Sequence, residues 1–490
     1  MTRFLMTILL ALLIFSSAAW AERTTISPET SVIGQLRALP AERALRLESV
    51  RLHGQEQALD LELQPFTVYA DGARISVHQA DGTTRTEPMP NSRWYAGVIA
   101  GQHQSRVMIA LHETSGLRGL VFLPDGELHL LAAGSAARSP EDSGLVTRRI
   151  DVEAELAGRE FTCGNAELTA PLSFVDNQPA RPRATDLIAR LAAPAQPAGS
   201  GQPTYWNRLA IETDTEYLAL FGGNTTAATE YAADLIAFTS LRYQDEVDTG
   251  LALIHISLWE TPDPWTQSSS ICLMMEYGRY WNQNNTGIDR TATHYLSGKP
   301  TGGGVAWLGV LCSGPFTVNL QNFGLNCPGL PSIDSYGGAH GFSGSINGNF
   351  NINNPGLVGD LFVFAHEIGH NFNSEHTHCY AGIAGNPIPV DECSNVECNV
   401  GCYCGSPSLP DGQPPGSQAG TLMSYCHLLA GGINNIAWSF GTGHPFGVLP
   451  QRVPDRMFNH VVTRSNQNPG CLDVNPAPEI IFIDGFESGP

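Results

Sequence analysis

The sequence predicts an α+β chain in which a β-rich unit precedes a larger mixed one. Short alternating apolar runs, punctuated by Asp-Gly turns, occupy residues 24–131. Residues 178–203 are rich in Pro, Ala and Arg, the composition of an exposed connector. Beyond them strand-like and helix-like spacings alternate, the pattern of a mixed α/β or α+β domain.

In chain order, the first 21 residues read as an export signal: basic Arg3, an apolar stretch over 4–15, and the small-x-small pattern Ala19-Trp20-Ala21. The stretch is short for a membrane span, and no second run of about 20 apolar residues follows. An uncleaved anchor is the alternative; a cleaved signal leaves a chain with no membrane insertion and an extracellular or periplasmic destination. Residues 22–202 form the β-rich unit and its connector. Phe66-Thr67-Val68-Tyr69 is expected as a strand ending at the Asp71-Gly72 turn, and Ile75-Ser76-Val77 leads to the Asp81-Gly82 turn. Two apolar strands over 107–111 and 119–123 precede a third turn at Asp125-Gly126. The connector, with a short helix expected over 186–192, suits either a processing protease or a plain spacer. Residues 203–474 open with a strand over 206–211, a helix over 226–243 and a second strand over 251–258; residues 475–490 are a short tail.

At 490 residues the chain exceeds one ordinary domain, and 42% hydrophobic with 15% charged residues suits units with packed cores. A formal charge of −21, with Lys299 the one lysine, repels phosphate backbones and anionic lipid heads; nucleic acid is therefore excluded as a partner. Of the 11 cysteines, Cys163 stands alone in the first half, and the ten in the second half can close as five disulfides. The irregularly spaced Cys393, Cys398, Cys402 and Cys404 belong with disulfides rather than a second metal in an exported chain.

Chemistry concentrates at His366-Glu367-Ile368-Gly369-His370. The preceding residues run into it without Gly or Pro, and Asp360 is an early-helix acid. On a helix, His366 and His370 project from one face and can share a zinc ion. Glu367, beside the first ligand, can take a proton from a water held in the open coordination position. The five residues alone would recur by chance, but His376 stands six further on. Between them Asn373 can adopt the left-handed conformation that ends a helix sharply and brings His376 round as a third ligand. Three protein ligands leave a fourth position open, the mark of a catalytic rather than a structural site. Some fifty residues later, in Thr421-Leu422-Met423-Ser424-Tyr425-Cys426, Met423 can floor the metal and the Tyr425 hydroxyl can stabilise an oxyanion. Alone, Met423 would read as core filling.

Together these residues resemble the metzincins, whose signature is H-E-x-x-H-x-x-G-x-x-H followed by a Met-turn. Asn373 stands where that family usually has Gly. The likeness is closest to the reprolysin/adamalysin branch, including bacterial members. Tyr95-Ala96-Gly97 and Gly116-Leu117-Arg118-Gly119-Leu120 are similar to propeptides of the branch. His294-Tyr295-Leu296-Ser297-Gly298 and Gly304-Val305-Ala306-Trp307-Leu308-Gly309-Val310-Leu311-Cys312 are similar to its edge-strand region. The resemblance implies a mixed twisted sheet, a zinc-binding helix and an irregular lower subdomain, preceded by a β-rich propeptide. It further implies one catalytic zinc ion on His366, His370 and His376, with Glu367 as general base and Met423 as the Met-turn residue. Tyr425 matches the Met-x-Tyr form of other metzincin branches, where Tyr contributes to the metal site.

The implied activity is that of a secreted zinc endopeptidase made as a zymogen, with polypeptide substrates and its own propeptide as inhibitor. A peptide would add itself along an open strand near residues 304–311. Cys163-Gly164 is similar to a latency switch in which a thiolate fills the open position of the metal; a leftover thiol is the other reading. A Cys312–Cys471 disulfide is implied by the same resemblance, while calcium is left undetermined. The competing class is a secreted binding protein or adhesin on this fold, against which the retention of Glu367 speaks. His340, His378, His427, His444 and His460 carry no partner pattern and are assigned surface or core roles.

Overall fold

The computed structural model describes residues 24–26, 32–40, 43–133, 144–150, 163–164, 203–260 and 262–473. The expected signal, the helix at 186–192, most of the connector and the tail lie outside the described residues. Among those described, no helix is long and apolar enough to cross a membrane.

Among the described residues, ten strands precede the connector: β1 (Thr24–Ile26), β2 (Leu45–Val50), β3 (Leu59–Phe66), β4 (Tyr69–His78), β5 (Thr84–Glu87), β6 (Arg93–Ile99), β7 (Gln102–Leu111), β8 (Leu117–Phe122), β9 (Leu128–Ala133) and β10 (Leu145–Arg149), with helix α1 (Val32–Ala38) after β1. Eight of them form one sheet in the order β1-β2-β3-β6-β7-β8-β9-β10. Alternation decides its two faces. Leu61, Leu63, Tyr95, Val107, Ile109 and Leu131 bury one side beneath α1, while Trp94, Met108, Ala110, Leu120 and Leu130 turn to the rest of the molecule.

The remaining two strands behave otherwise. Beyond the connector come β11 (Tyr205–Thr213), α2 (Thr215–Leu220), α3 (Thr225–Val247), β12 (Thr249–Trp259), α4 (Ser270–Asn284), β13 (Ala292–Leu296), β14 (Gly304–Ala306), β15 (Phe316–Asn319), β16 (Ile333–Gly337) and β17 (His340–Ser343). The second sheet has the order β14-β17-β13-β11-β12-β4-β5. The β4–β5 hairpin thus crosses the boundary placed at residue 202 and completes the sheet of the later segment. β4 runs parallel to β12, with Ile75 opposite Ile256 and Val77 opposite Leu258. Phe66-Thr67-Val68-Tyr69 is accordingly not one strand. It is the corner between β3 and β4 where the chain leaves the first sheet for the second, pinned by the Leu253 N–H donating to Val68 O at 2.7 Å. Asp71-Gly72 does not end a strand either: Gly72, at φ +75°, lies inside β4 where its pairing with β12 slips register, and so forms a bulge. The turns at Asp81-Gly82 and Asp125-Gly126 do close hairpins, with Gly82 N donating to Gln79 O at 2.9 Å and Gly126 N to Leu123 O at 3.0 Å.

Helix α3 begins where the Asn224 side chain accepts from Ala227 N, and most of its length is buried. It packs between the two units and against α5 (Leu357–Asn371), with Tyr243 Oη donating to Ala365 O at 2.9 Å. All of α5 is buried. Its first turn has no side-chain cap; Asp360 instead accepts from Tyr231 Oη at 2.6 Å and from Asn347 N at 2.9 Å, anchoring the helix to its surroundings. Residues 374–451 contain no α-helix or named strand, only 3-10 turns, and α6 (Arg452–Gln467) closes the described chain. Five disulfides join Cys272–Cys327, Cys312–Cys471, Cys379–Cys402, Cys393–Cys426 and Cys398–Cys404. The pairing implied by resemblance, Cys312 with Cys471, is among them, and Cys163 stays outside the set.

Across the face between the units, Asp234 on α3 is fully buried and accepts from His112 Nε2 at 2.9 Å, Arg118 Nη1 at 2.9 Å and Trp94 Nε1 at 3.0 Å. Burial works against its charge, but His112, Arg118 and Trp94 outweigh it and hold the carboxyl below the usual range. One turn earlier Glu230 accepts from Ser115 N at 3.0 Å, and Arg106 pairs with Asp245 at 2.7 Å. Removing the acceptor at 234 strands the buried donors of His112 and Trp94 and the half-buried guanidinium of Arg118. Asp234→Ala should therefore lower the stability of the full-length chain by about 3 kcal/mol or more, read as a drop in the denaturant midpoint; an unshifted midpoint contradicts this account.

Candidate metal centre

Helix α5 carries His366 and His370 on one face, and its end is set by Asn373, whose φ of +74° is the left-handed conformation expected there. Asn373 N donates to His370 O at 2.8 Å and Ser374 N to Gly369 O at 3.0 Å, closing the last turn and reversing the chain. Arg456 from α6 holds the Asn373 carbonyl. His376 then faces back toward the helix.

The three rings meet at their Nε2 atoms. His376 Nε2 is 3.2 Å from both His366 Nε2 and His370 Nε2. A tetrahedral ion with arms of about 2.0–2.1 Å places its ligand nitrogens about 3.3–3.4 Å apart, so the spacing fits one zinc ion. Protonation supports the same reading. His366 Nδ1 lies 2.7 Å from Leu422 O, and His370 Nδ1 lies 2.7 Å from Ser374 O. A carbonyl can only accept, so each Nδ1 carries the hydrogen and each neutral ring points a bare Nε2 lone pair inward. His376 Nδ1 is 2.6 Å from Glu397 Oε2. Lone pairs so crowded in a buried site repel unless a cation lies among them. Burial, then the neighbouring imidazoles, hold His366 well below its usual range and His370 at about 3, keeping both in the ligating form.

Glu367 is fully buried, and its Oε1 has no hydrogen-bond partner among the described residues. Burial pushes its carboxyl well up, against a smaller opposing effect of the Cys163 thiol. Cys163 Sγ lies 3.6 Å from His370 Nε2 and 3.7 Å from Glu367 Oε2, and with the three histidines it forms a group able to hold a metal. Its backbone bridges Gly304 in parallel, on the edge strand β14. Met423 lies beneath the helix: a Cβ on Gly369 would stand 2.5 Å from Met423 Sδ, which explains the glycine inside the motif. The Tyr425 ring lies 4.3 Å from that of His376, and its hydroxyl donates to Cys163 O at 3.4 Å.

All seven residues singled out from sequence therefore gather in one place. Glu397 and His378 were missed there. Glu397 Oε2 also lies 2.9 Å from His378 Nε2, and the His378 and His376 rings stack at 5.6 Å. Burial opposes the Glu397 charge, but His376 and His378 outweigh it and hold the carboxyl far below its usual range. Cysteine density around 393–404 was the available signal. The carbonyls of Leu422 and Ser374 have no sequence signature at all.

Two imidazoles from one helix turn, a third from the reversal behind it and an acid alongside define a metal-dependent hydrolase. Residues 204–427 match the sequence model Reprolysin_5, Metallo-peptidase family M12. That match supports a reprolysin-like zinc metalloendopeptidase domain over residues 204–427. No curated protein matches it. Among solved structures it is similar to metalloproteinase-II from Bacteroides fragilis at 8% identity, with a TM-score of 0.36, covering 75% of this chain and 92% of that one. A chain of a chaperone–substrate complex is similar at 15% identity, with a TM-score of 0.24, covering 36% of this chain and 24% of that one.

Gly304 is where the edge strand touches the acid: a Cβ there would stand 2.4 Å from Glu367 Cγ. Gly304→Ala should displace the Glu367 carboxyl and cut kcat by about tenfold or more, with zinc content by atomic absorption unchanged. Wild-type turnover would show that the contact can relax without consequence.

Proposed function

We propose that the chain is an exported zymogen whose residues 203–474 form a single-zinc endopeptidase of the metzincin type, silenced by residues 22–202. The observation that carries this reading is the convergence of three Nε2 lone pairs beside a buried acid, with the Cys163 thiol at the remaining approach.

His366, His370 and His376 would hold zinc, which when bound polarises a peptide carbonyl and makes water acidic enough to attack it. Glu367 Oε1 takes the proton of the attacking water and passes it to the departing amine nitrogen. A carboxyl raised by burial suits both halves of that transfer. The Tyr425 hydroxyl is available to donate to the developing oxyanion once Cys163 has left. Substrate main chain would pair with β14, the edge strand that Cys163 now bridges at Gly304. Filling the edge and the open ligand position with one residue is an economical form of latency: the thiol and the substrate compete for the same space. The five disulfides and the N-terminal signal pattern support export. Against a binding protein without turnover stands Glu367, a buried acid costly to retain unless it is used.

Two measurements test this. Glu367→Ala should keep one zinc per chain yet lose about 10²- to 10⁴-fold in kcat/KM on a mixed peptide library; equal activity in both proteins rejects the mechanism. Cys163→Ala should give a precursor that cleaves peptides before processing in a chelator-sensitive way. A variant precursor as silent as the parent counts against the latency role.

A further inference from the structure

The three histidines are held by unlike acceptors. His366 and His370 lean on backbone carbonyls belonging to elements that the motif itself positions. His376 leans on a side chain from elsewhere, Glu397, at 2.6 Å. Glu397 is buried, and it belongs to a stretch with no helix or strand beyond the 3-10 turn Cys398–Val400. Beyond local turns, backbone pairing around it is limited to the isolated bridge Glu392–Ser408 and a Tyr403 N–H donating to His378 O, too little to fix it there.

Cross-links do so instead. Cys379, three residues past His376, is joined to Cys402; Cys393 is joined to Cys426, which follows Tyr425; and Cys398, next to Glu397, is joined to Cys404. The segment bearing Glu397 is thus stapled to the third-ligand segment, to the Met423 segment and to itself. Within this frame Glu397 Oε2 reaches both His376 Nδ1 and His378 Nε2, and Tyr425 packs against both rings.

Resting on the zinc reading above, we propose that Glu397 is a positioning residue for the metal centre. By accepting the Nδ1 hydrogen of His376 it fixes that ring's tautomer and tilt, and so sets how tightly zinc is retained. The residue acts through His376 and does not touch substrate. His376 depends on it most of the three, because the turn at Asn373 delivers the ring without a backbone acceptor of its own.

The test uses the full-length chain with its disulfides intact, measuring zinc affinity by competition with a chromogenic chelator and the absorption bands of the cobalt(II)-substituted protein. Glu397→Ala should weaken zinc binding by about 10- to 100-fold and shift the cobalt bands. Glu397→Gln, whose amide oxygen can still accept from Nδ1, should lose less than about a third of that effect on a logarithmic scale and leave the bands in place. Its metal-free unfolding midpoint should match that of the parent. If Glu397→Ala does not fold, Glu397→Asp, one methylene short of His376, replaces it and should weaken zinc more than Gln does. Parental affinity in Ala or Asp, or equal losses in Ala and Gln, overturns the proposal. A parent chain that retains no zinc overturns the zinc reading as well, and so marks that failure apart.

Discussion

Each imidazole at the centre must give its Nδ1 hydrogen to a fixed acceptor so that its Nε2 is bare where the three meet, 3.2 Å apart from His376 to either neighbour. Much of the surrounding architecture follows from this requirement. A buried ring with the wrong tautomer would neither ligate nor satisfy its own N–H. The acceptors come from three places: Leu422 O from the segment before Met423, Ser374 O from the reversal after α5, and Glu397 from the disulfide-bound loop. Helix α5 is buried along its whole length because it must pass between these supports, and Gly369 is small because Met423 fills the space beneath it.

The second sheet ties this centre to the N-terminal unit at both of its edges. At one edge the β4–β5 hairpin pairs with β12; at the other Cys163 bridges Gly304 on β14. Open edges expose unpaired N–H and C=O groups; the hairpin moves one such edge out to β5, and Cys163 meets the other at Gly304. The face between the units is closed by the buried Asp234 cluster and by Phe122 stacked on Trp438 at 5.6 Å. One apolar core runs through residues of both units. The first sheet is therefore no loose appendage: one of its faces belongs to the same interior as the metal centre.

Below α5 the chain trades regular structure for covalent links. Residues 374–451 lack α-helices and named strands, yet they supply His376, Glu397, Met423 and Tyr425. Three disulfides reduce the freedom this segment would have when unfolded, doing what helix or sheet ladders do elsewhere. The placement of the carboxylate behind His376 and the integrity of the disulfide frame are thereby one structural problem.

The motif over 366–370, the third histidine at 376, the left-handed Asn373 and the strand and helix order after residue 203 were legible in sequence, because each depends on spacing along a single element or a single turn. The number of disulfides followed from the even count of cysteines in the second half. The Asp71-Gly72 bulge was misread as a turn, since whether an Asp-Gly pair ends a strand or bends it depends on a partner strand far away, here β12. The same reason hid the hairpin's place in the second sheet, the role of Asp234 and the carboxylate behind His376. Local sequence determined which residues could bind a metal. Only the tertiary structure decided which acceptors orient them, because hydrogen-bond partners 21 and 56 residues apart from their rings are chosen by packing and cross-links and leave no period in the chain.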